Sequence, residues 1–160
     1  MSDEYYTVEE ELRRLESFLQ SENIENDYNY LRMEKGPKPF FYALIAFSHQ
    51  LRFTLLNHYF LVFTKDSLVL LTKNKDEKFS LENMIRMKYS NIDNFTFKKV
   101  YGAYCIYFKY LDKDYYFYLS NRASSRFLDK IFNYPIRNVS YENLSYLEKM
   151  NFMGLCTKNK

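Results

Sequence analysis

The chain has 160 residues, room for one domain with at most a small appendage. Its hydrophobic share of 47% and charged share of 27% allow a core and a solvated surface, while three Gly and three Pro exclude collagen-like, linker-rich and low-complexity classes. Two Cys and two His exclude a disulfide framework, a four-thiolate zinc site and a histidine-rich metal centre, and the net charge of +3 divides into −7 over residues 1–34 and +10 over residues 35–160.

The first element is a helix over roughly 8–21. Thr7-Val8-Glu9-Glu10 has capping-box spacing, and Leu12, Leu15, Phe18 and Leu19 follow at helical period. The acids of its first turn suit the positive end of the helix dipole. Residues 22–34 are polar, with Tyr28, Tyr30, Leu31 and Met33 as anchors. Gly36-Pro37-Lys38-Pro39 breaks the pattern, and a boundary is drawn there: an acidic helical segment over 1–38, a β-rich domain over 39–134 and a helical extension over 135–160. The acidic segment reads either as a solvated helix or as a cover lying on a basic surface.

Phe41 to Phe47 is a short apolar run that fits a buried strand or a helical turn, and periodicity does not separate the two. Tyr59–Thr64 and Leu68–Thr72 flank Lys65-Asp66-Ser67 as a hairpin. Met84 to Tyr89 is a strand, and Phe95 and Phe97 alternate with Thr96 and Lys98. Tyr101-Gly102 turns into Tyr104–Tyr110, and Asp112-Lys113-Asp114 turns into Tyr115–Leu119, which completes an antiparallel meander. An amphipathic helix from Asn121 to Asn133 follows, with Ala123, Phe127, Leu128, Ile131 and Phe132 as its stripe and Pro135 as its stop. A shorter helix starts near Ser140, with Tyr141, Leu144, Leu147 and Met150 on one side.

The start MSDEYYTVEE lacks the basic and apolar parts of a secretory signal. The longest apolar-leaning stretch, Pro39 to Leu51, is about 13 residues against roughly 20 for a membrane span. A cytoplasmic chain is expected, with Cys105 and Cys156 reduced.

About seven antiparallel strands followed by one amphipathic helix resemble the pleckstrin-homology-like (PH-like) fold, in particular the short bacterial GRAM-like domains. FLVFTKDSLVLLTKN (Phe60 to Asn74), FSLENMIRMKY (Phe79 to Tyr89) and the hairpin and helix from Tyr104 to Tyr134 carry the resemblance. It implies a mainly β, α+β fold: a curled sheet capped by the C-terminal helix, with the acidic helix added at the front. It also implies a non-enzymatic binding platform. Phosphoinositide-binding members use a Lys/Arg cluster between their first two strands. SHQLRFTLLNHY offers only Arg52 and two His, so that ligand is not implied here.

No nucleophile elbow, phosphate-cradling glycine loop or HExxH sequence occurs, so no catalytic, cofactor or metal site is expected. Cys105 among aromatics reads as a buried thiol, and His49 and His58 stand too far apart for one helical face. The expected partner surface is an exposed Tyr/Lys sheet face around Lys98, Tyr107, Lys109 and Tyr116, since Tyr is a common interface anchor. A protein partner is the first expectation. Nucleic acid stacked on the same tyrosines, an anionic membrane surface, and an inhibitor or immunity-type role by surface binding are the alternatives. YGAYCIYF (Tyr101 to Phe108) faintly echoes an RNA-recognition strand, with Ala103 where an aromatic is required. Oligomeric state is left open.

Overall fold

The computed structural model describes residues 8–27, 29–120 and 139–156. Seven strands form one curled, unclosed antiparallel sheet: β1 (Tyr30–Lys35), β2 (Asn57–Phe63), β3 (Ser67–Leu71), β4 (Met84–Lys88), β5 (Ile92–Val100), β6 (Ala103–Tyr110) and β7 (Lys113–Ser120). Their order is β4-β3-β2-β1-β7-β6-β5. The chain therefore steps outward from β1 to the β4 edge, crosses to the far edge at β5, and steps back until β7 meets β1. Four α-helices accompany the sheet among the described residues: α1 (Val8–Ser21), α2 (Pro39–Ala46), α3 (His49–Leu55) and α4 (Val139–Lys149).

The mainly β architecture and the acidic leading helix agree with the sequence, one assignment is corrected, and one choice that the sequence left open is settled. The seventh strand is Tyr30–Lys35, whereas Phe41 to Phe47 belongs almost wholly to helix α2. β1 reads as polar because Arg32 is exposed and Glu34 is a buried charge, which hides the apolar partners Leu31 and Met33. The boundary at residue 38 falls within one sheet: β1 pairs with β2 along six residues, Tyr30↔Val62 to Lys35↔Asn57, and with β7 at Glu34↔Tyr118 and Lys35↔Phe117. The segment from Asn121 to Asn133, expected as the capping helix, lies outside the described residues.

The inner face of the sheet holds the main core. Leu31, Met33, Leu61, Phe63, Leu68, Leu70, Ile106, Phe108 and Phe117 point into it and are almost completely buried. Leu144 and Leu147 of α4 fill this core together with Phe152 and Leu155. The Phe152 ring lies 5.0–5.7 Å from those of Phe63, Phe95 and Phe97. Each such side chain contributes roughly 1.5–3 kcal/mol of transfer free energy on burial. Asn143 Nδ2 donates to the Tyr30 carbonyl at 2.9 Å and ties α4 to β1.

Helices α1 and α4 end in the same way. Asn23 (φ 52°) and Asn151 (φ 51°) take the left-handed conformation just past each helix. The next residue donates back five positions: Ile24 N to Leu19 O and Phe152 N to Leu147 O, both at 2.8 Å. These are Schellman turns, in which the residue after the Asn packs on the helix it leaves. They drive Ile24 and Phe152 into the two cores.

On the outer face, α1 covers the β1–β3 half. Leu15 and Leu19, with Ile24, pack on Tyr30, Phe60, Val62, Val69 and Leu71. Glu11 of α1 receives Arg32 Nε at 3.3 Å and Lys73 Nζ at 2.8 Å. The acidic helix thus does neutralise basic side chains, and they lie on the half of the sheet away from β5 and β6.

Candidate functional site

The β5–β6–β7 half of the outer face consists of four cross-strand rows. They are Val100–Ala103–Ser120, Lys98–Cys105–Tyr118, Thr96–Tyr107–Tyr116 and Asp93–Lys109–Asp114. Period-two alternation turns the intervening residues inward, where Phe97, Tyr104, Ile106, Phe108, Tyr115 and Phe117 join the core. A bulge between Asp93 and Thr96, with Asn94 at φ 53°, reconciles the last row with the third.

Helix α2 packs on Val100, Ala103, Cys105 and Tyr118 of the first two rows. Its Tyr42 ring stacks on Tyr118 at 3.6 Å between centroids and 6° between planes. Tyr42 Oη donates to Glu34 Oε2 at 3.1 Å, and Tyr118 Oη donates to the Pro37 carbonyl. His58 Nε2 lies 3.6 Å from Glu34 Oε1. Gly36 makes the approach possible: a Cβ there would meet Tyr42 and Leu56 at 3.2 Å and Tyr118 at 3.3 Å. Pro39 opens the helix without losing a hydrogen bond. Under α2, Cys105 is buried, and desolvation raises its thiol to about 11, so it is protonated and unreactive at neutral pH.

The last two rows are partly open, with Tyr116 at the margin of the α2 cluster. Tyr107 and Tyr116 are partly exposed and stack at 4.8 Å between centroids. Tyr107 Oη donates to Asp114 Oδ1 at 2.9 Å. Desolvation, then the hydrogen bond to Asp114 and the charge of that carboxylate, raises the Tyr107 phenol to about 12. Lys98 is exposed at one end of the tyrosine pair, and Lys109 lies at the other, between Asp93 and Asp114.

The four residues singled out in the sequence, Lys98, Tyr107, Lys109 and Tyr116, therefore share one face on three adjacent strands. Lys99 turns to the opposite face, where its Nζ sits 5.7 Å from the Tyr104 ring. Two features escaped the sequence reading. One is the pair of aspartates that flanks Lys109, since the bulge before Thr96 that sets Asp93 opposite Lys109 has no signal in the sequence. The other is the helical wall α2–α3, since the Phe41 to Phe47 run fits strand or helix equally. Chemically this face can stack, donate phenolic hydrogen bonds and pair charges. Among the described residues no group of His, Cys, Asp and Glu side chains is arranged to hold a metal ion, and no helix is long and apolar enough to cross a membrane. Neither a protein-family model nor a curated protein matches this chain.

Proposed function

We propose that this chain is a non-enzymatic, PH-like binding module of the cytoplasm that engages a protein partner through the open part of the outer face. Lys98, Tyr107, Lys109 and Tyr116 form that surface. The observation carrying the reading is the stacked, partly exposed Tyr107–Tyr116 pair at the margin of the α2 cover, beside sheet areas that α1 and α2 bury. Stacked tyrosines bring rigid apolar area and polar tips, the chemistry of interface anchors. The meander of four strands joined to a meander of three supports the PH-like reading. Charge favours protein over nucleic acid. The face carries two lysines and two aspartates, both aspartates flanking Lys109, so it has no excess positive charge to follow a phosphate chain. Ala103, where a stacking aromatic would sit, lies under α2.

The test uses purified full-length chain. Tyr116→Ala and the pair Lys98→Glu with Lys109→Gln are compared with wild type; Gln avoids placing a third acid between Asp93 and Asp114. Quantitative mass spectrometry of captured proteins, followed by binding of the purified candidate, is expected to give one partner whose affinity drops about tenfold or more in each variant. Equal affinity of wild type and both variants for every captured protein removes the assignment. Salt-sensitive binding of single-stranded RNA, lost in the same variants, moves the site to nucleic acid.

A further inference from the structure

Helices α2 and α3 carry a second surface on their side away from the sheet. Phe40, Phe41, Leu44, Phe47, Leu51 and Leu55 are all between 46% and 87% exposed, with Phe47 the most. At roughly 200 Å2 for a fully exposed side chain of this size, they present on the order of 700 Å2 of apolar area. That exceeds the roughly 300–600 Å2 of the largest patch on a typical monomer. It approaches the ~800 Å2 that each side gives to an interface of standard size.

The chemistry of the patch narrows its occupant. The α2 sequence PFFYALIA has no charged residue, and the α3 sequence HQLRFTL has no acid. Such a surface gives a different protein no charge pattern to recognise, but its own image meets it without like-charge repulsion across α2. The patch is also held rigidly, because α2 is fixed to the sheet by the Tyr42–Tyr118 stack and the Tyr42 to Glu34 hydrogen bond. A preformed surface loses little conformational entropy on association. Beside Phe47, a cavity of about 280 Å3 opens towards the β5–β6 turn, floored by Ala43, Ala46, Gly102 and Ala103 and bordered by Tyr101. Its small-residue floor and aromatic rim suit one large apolar side chain.

We infer that α2 and α3 form a two-fold interface between two copies of this chain, with Phe47 near its centre. In an isologous contact each copy supplies both knob and cavity, so one exposed apolar surface is sufficient to close the assembly. The tyrosine surface proposed above lies on other residues and is not used.

Light scattering and sedimentation velocity of the full chain over roughly 1–100 μM test this, the weak end of affinities seen for interfaces of this size. The expected result is a shift from 19.6 kDa to twice that mass as concentration rises. Phe47→Glu and, separately, Leu44→Lys are expected to hold the chain at the monomer mass with unchanged circular dichroism. Lys98→Glu with Lys109→Gln is expected to dimerise as wild type does. A wild-type chain that stays monomeric throughout overturns the inference, as does a dimer that both α2 variants leave intact. Sedimentation of a monomeric chain with phosphatidylcholine vesicles, abolished by Phe47→Glu, assigns the patch to lipid and overturns it as well.

Discussion

Tyr42 and Tyr118 show how much of the architecture depends on single side chains. Their stacked rings hold α2 on the sheet, and their hydroxyls reach in opposite directions, to Glu34 and to the Pro37 carbonyl. Glu34 is 7% exposed, so its carboxylate depends on donors brought to it by the fold. Tyr42→Phe keeps the stack and removes one donor from that carboxylate. A loss of about 1.5–3 kcal/mol in unfolding free energy is expected, the range for hydrogen bonds to charged groups, and urea denaturation measures it. A change below about 0.5 kcal/mol would show that the stack alone anchors the helix. The thiol chemistry belongs to this scale too. Cys105 under α2 is expected to ignore a thiol reagent until the chain unfolds, whereas the partly exposed Cys156 reacts in the folded state.

The hairpin turns decide register at the level of elements. Val100 pairs with Ala103 across Tyr101 (φ 47°) and Gly102 (φ 77°), and Tyr110 pairs with Lys113 across Leu111 (φ 48°) and Asp112 (φ 60°). Both are two-residue turns with positive φ at both positions, the geometry that favours Asn-Gly. The sequence signals the second turn at Asp112-Lys113-Asp114, one residue late, because Leu is a poor left-handed residue and carries no turn signal. Leu111 is nonetheless 69% exposed there, so its side chain adds strain without burial. Replacing Leu111-Asp112 by Asn-Gly is expected to raise unfolding free energy by about 1 kcal/mol, a rise in Tm of roughly 2–4 °C by calorimetry. An unchanged or lower Tm would refute the strain. Strands β2, β3, β6 and β7 were legible because each is a dense apolar or alternating run between polar turns. The four residues of the tyrosine face were legible as neighbours for the same reason, since period two fixes which side chains share a face. β1 was not legible, because buried Glu34 takes its partners from Tyr42 and His58, which only the folded chain brings near. Helix α2 was ambiguous because eight apolar residues carry no period, and its apolar excess becomes informative only once Tyr42 is seen as its one fully buried residue.

The whole molecule has 17 Tyr and no Trp, which makes its alkaline behaviour easy to read. Tyr89, Tyr107, Tyr115, Tyr116 and Tyr118 are each raised above the ordinary phenol value, with desolvation as the leading cause. A phenol that keeps its proton longer when folded contributes stability that is full below about pH 10, the unfolded value, and falls as pH rises through the folded values. The near-ultraviolet tyrosinate absorbance is therefore expected to rise in two stages. The five raised phenols form the later stage and ionise in step with loss of circular dichroism. Ionisation of all tyrosines in one step with the fold intact would contradict the burial described above. The β1–β7 seam has a further consequence for how the chain is made. Pro37 and Tyr118, bonded across it, are 81 residues apart. On the ribosome, β1 can join β2 within some twenty residues, but its other flank must wait for nearly the whole sheet to emerge. Two separate ribbons are therefore expected to form first, with the late closure of a long loop setting the pace of folding.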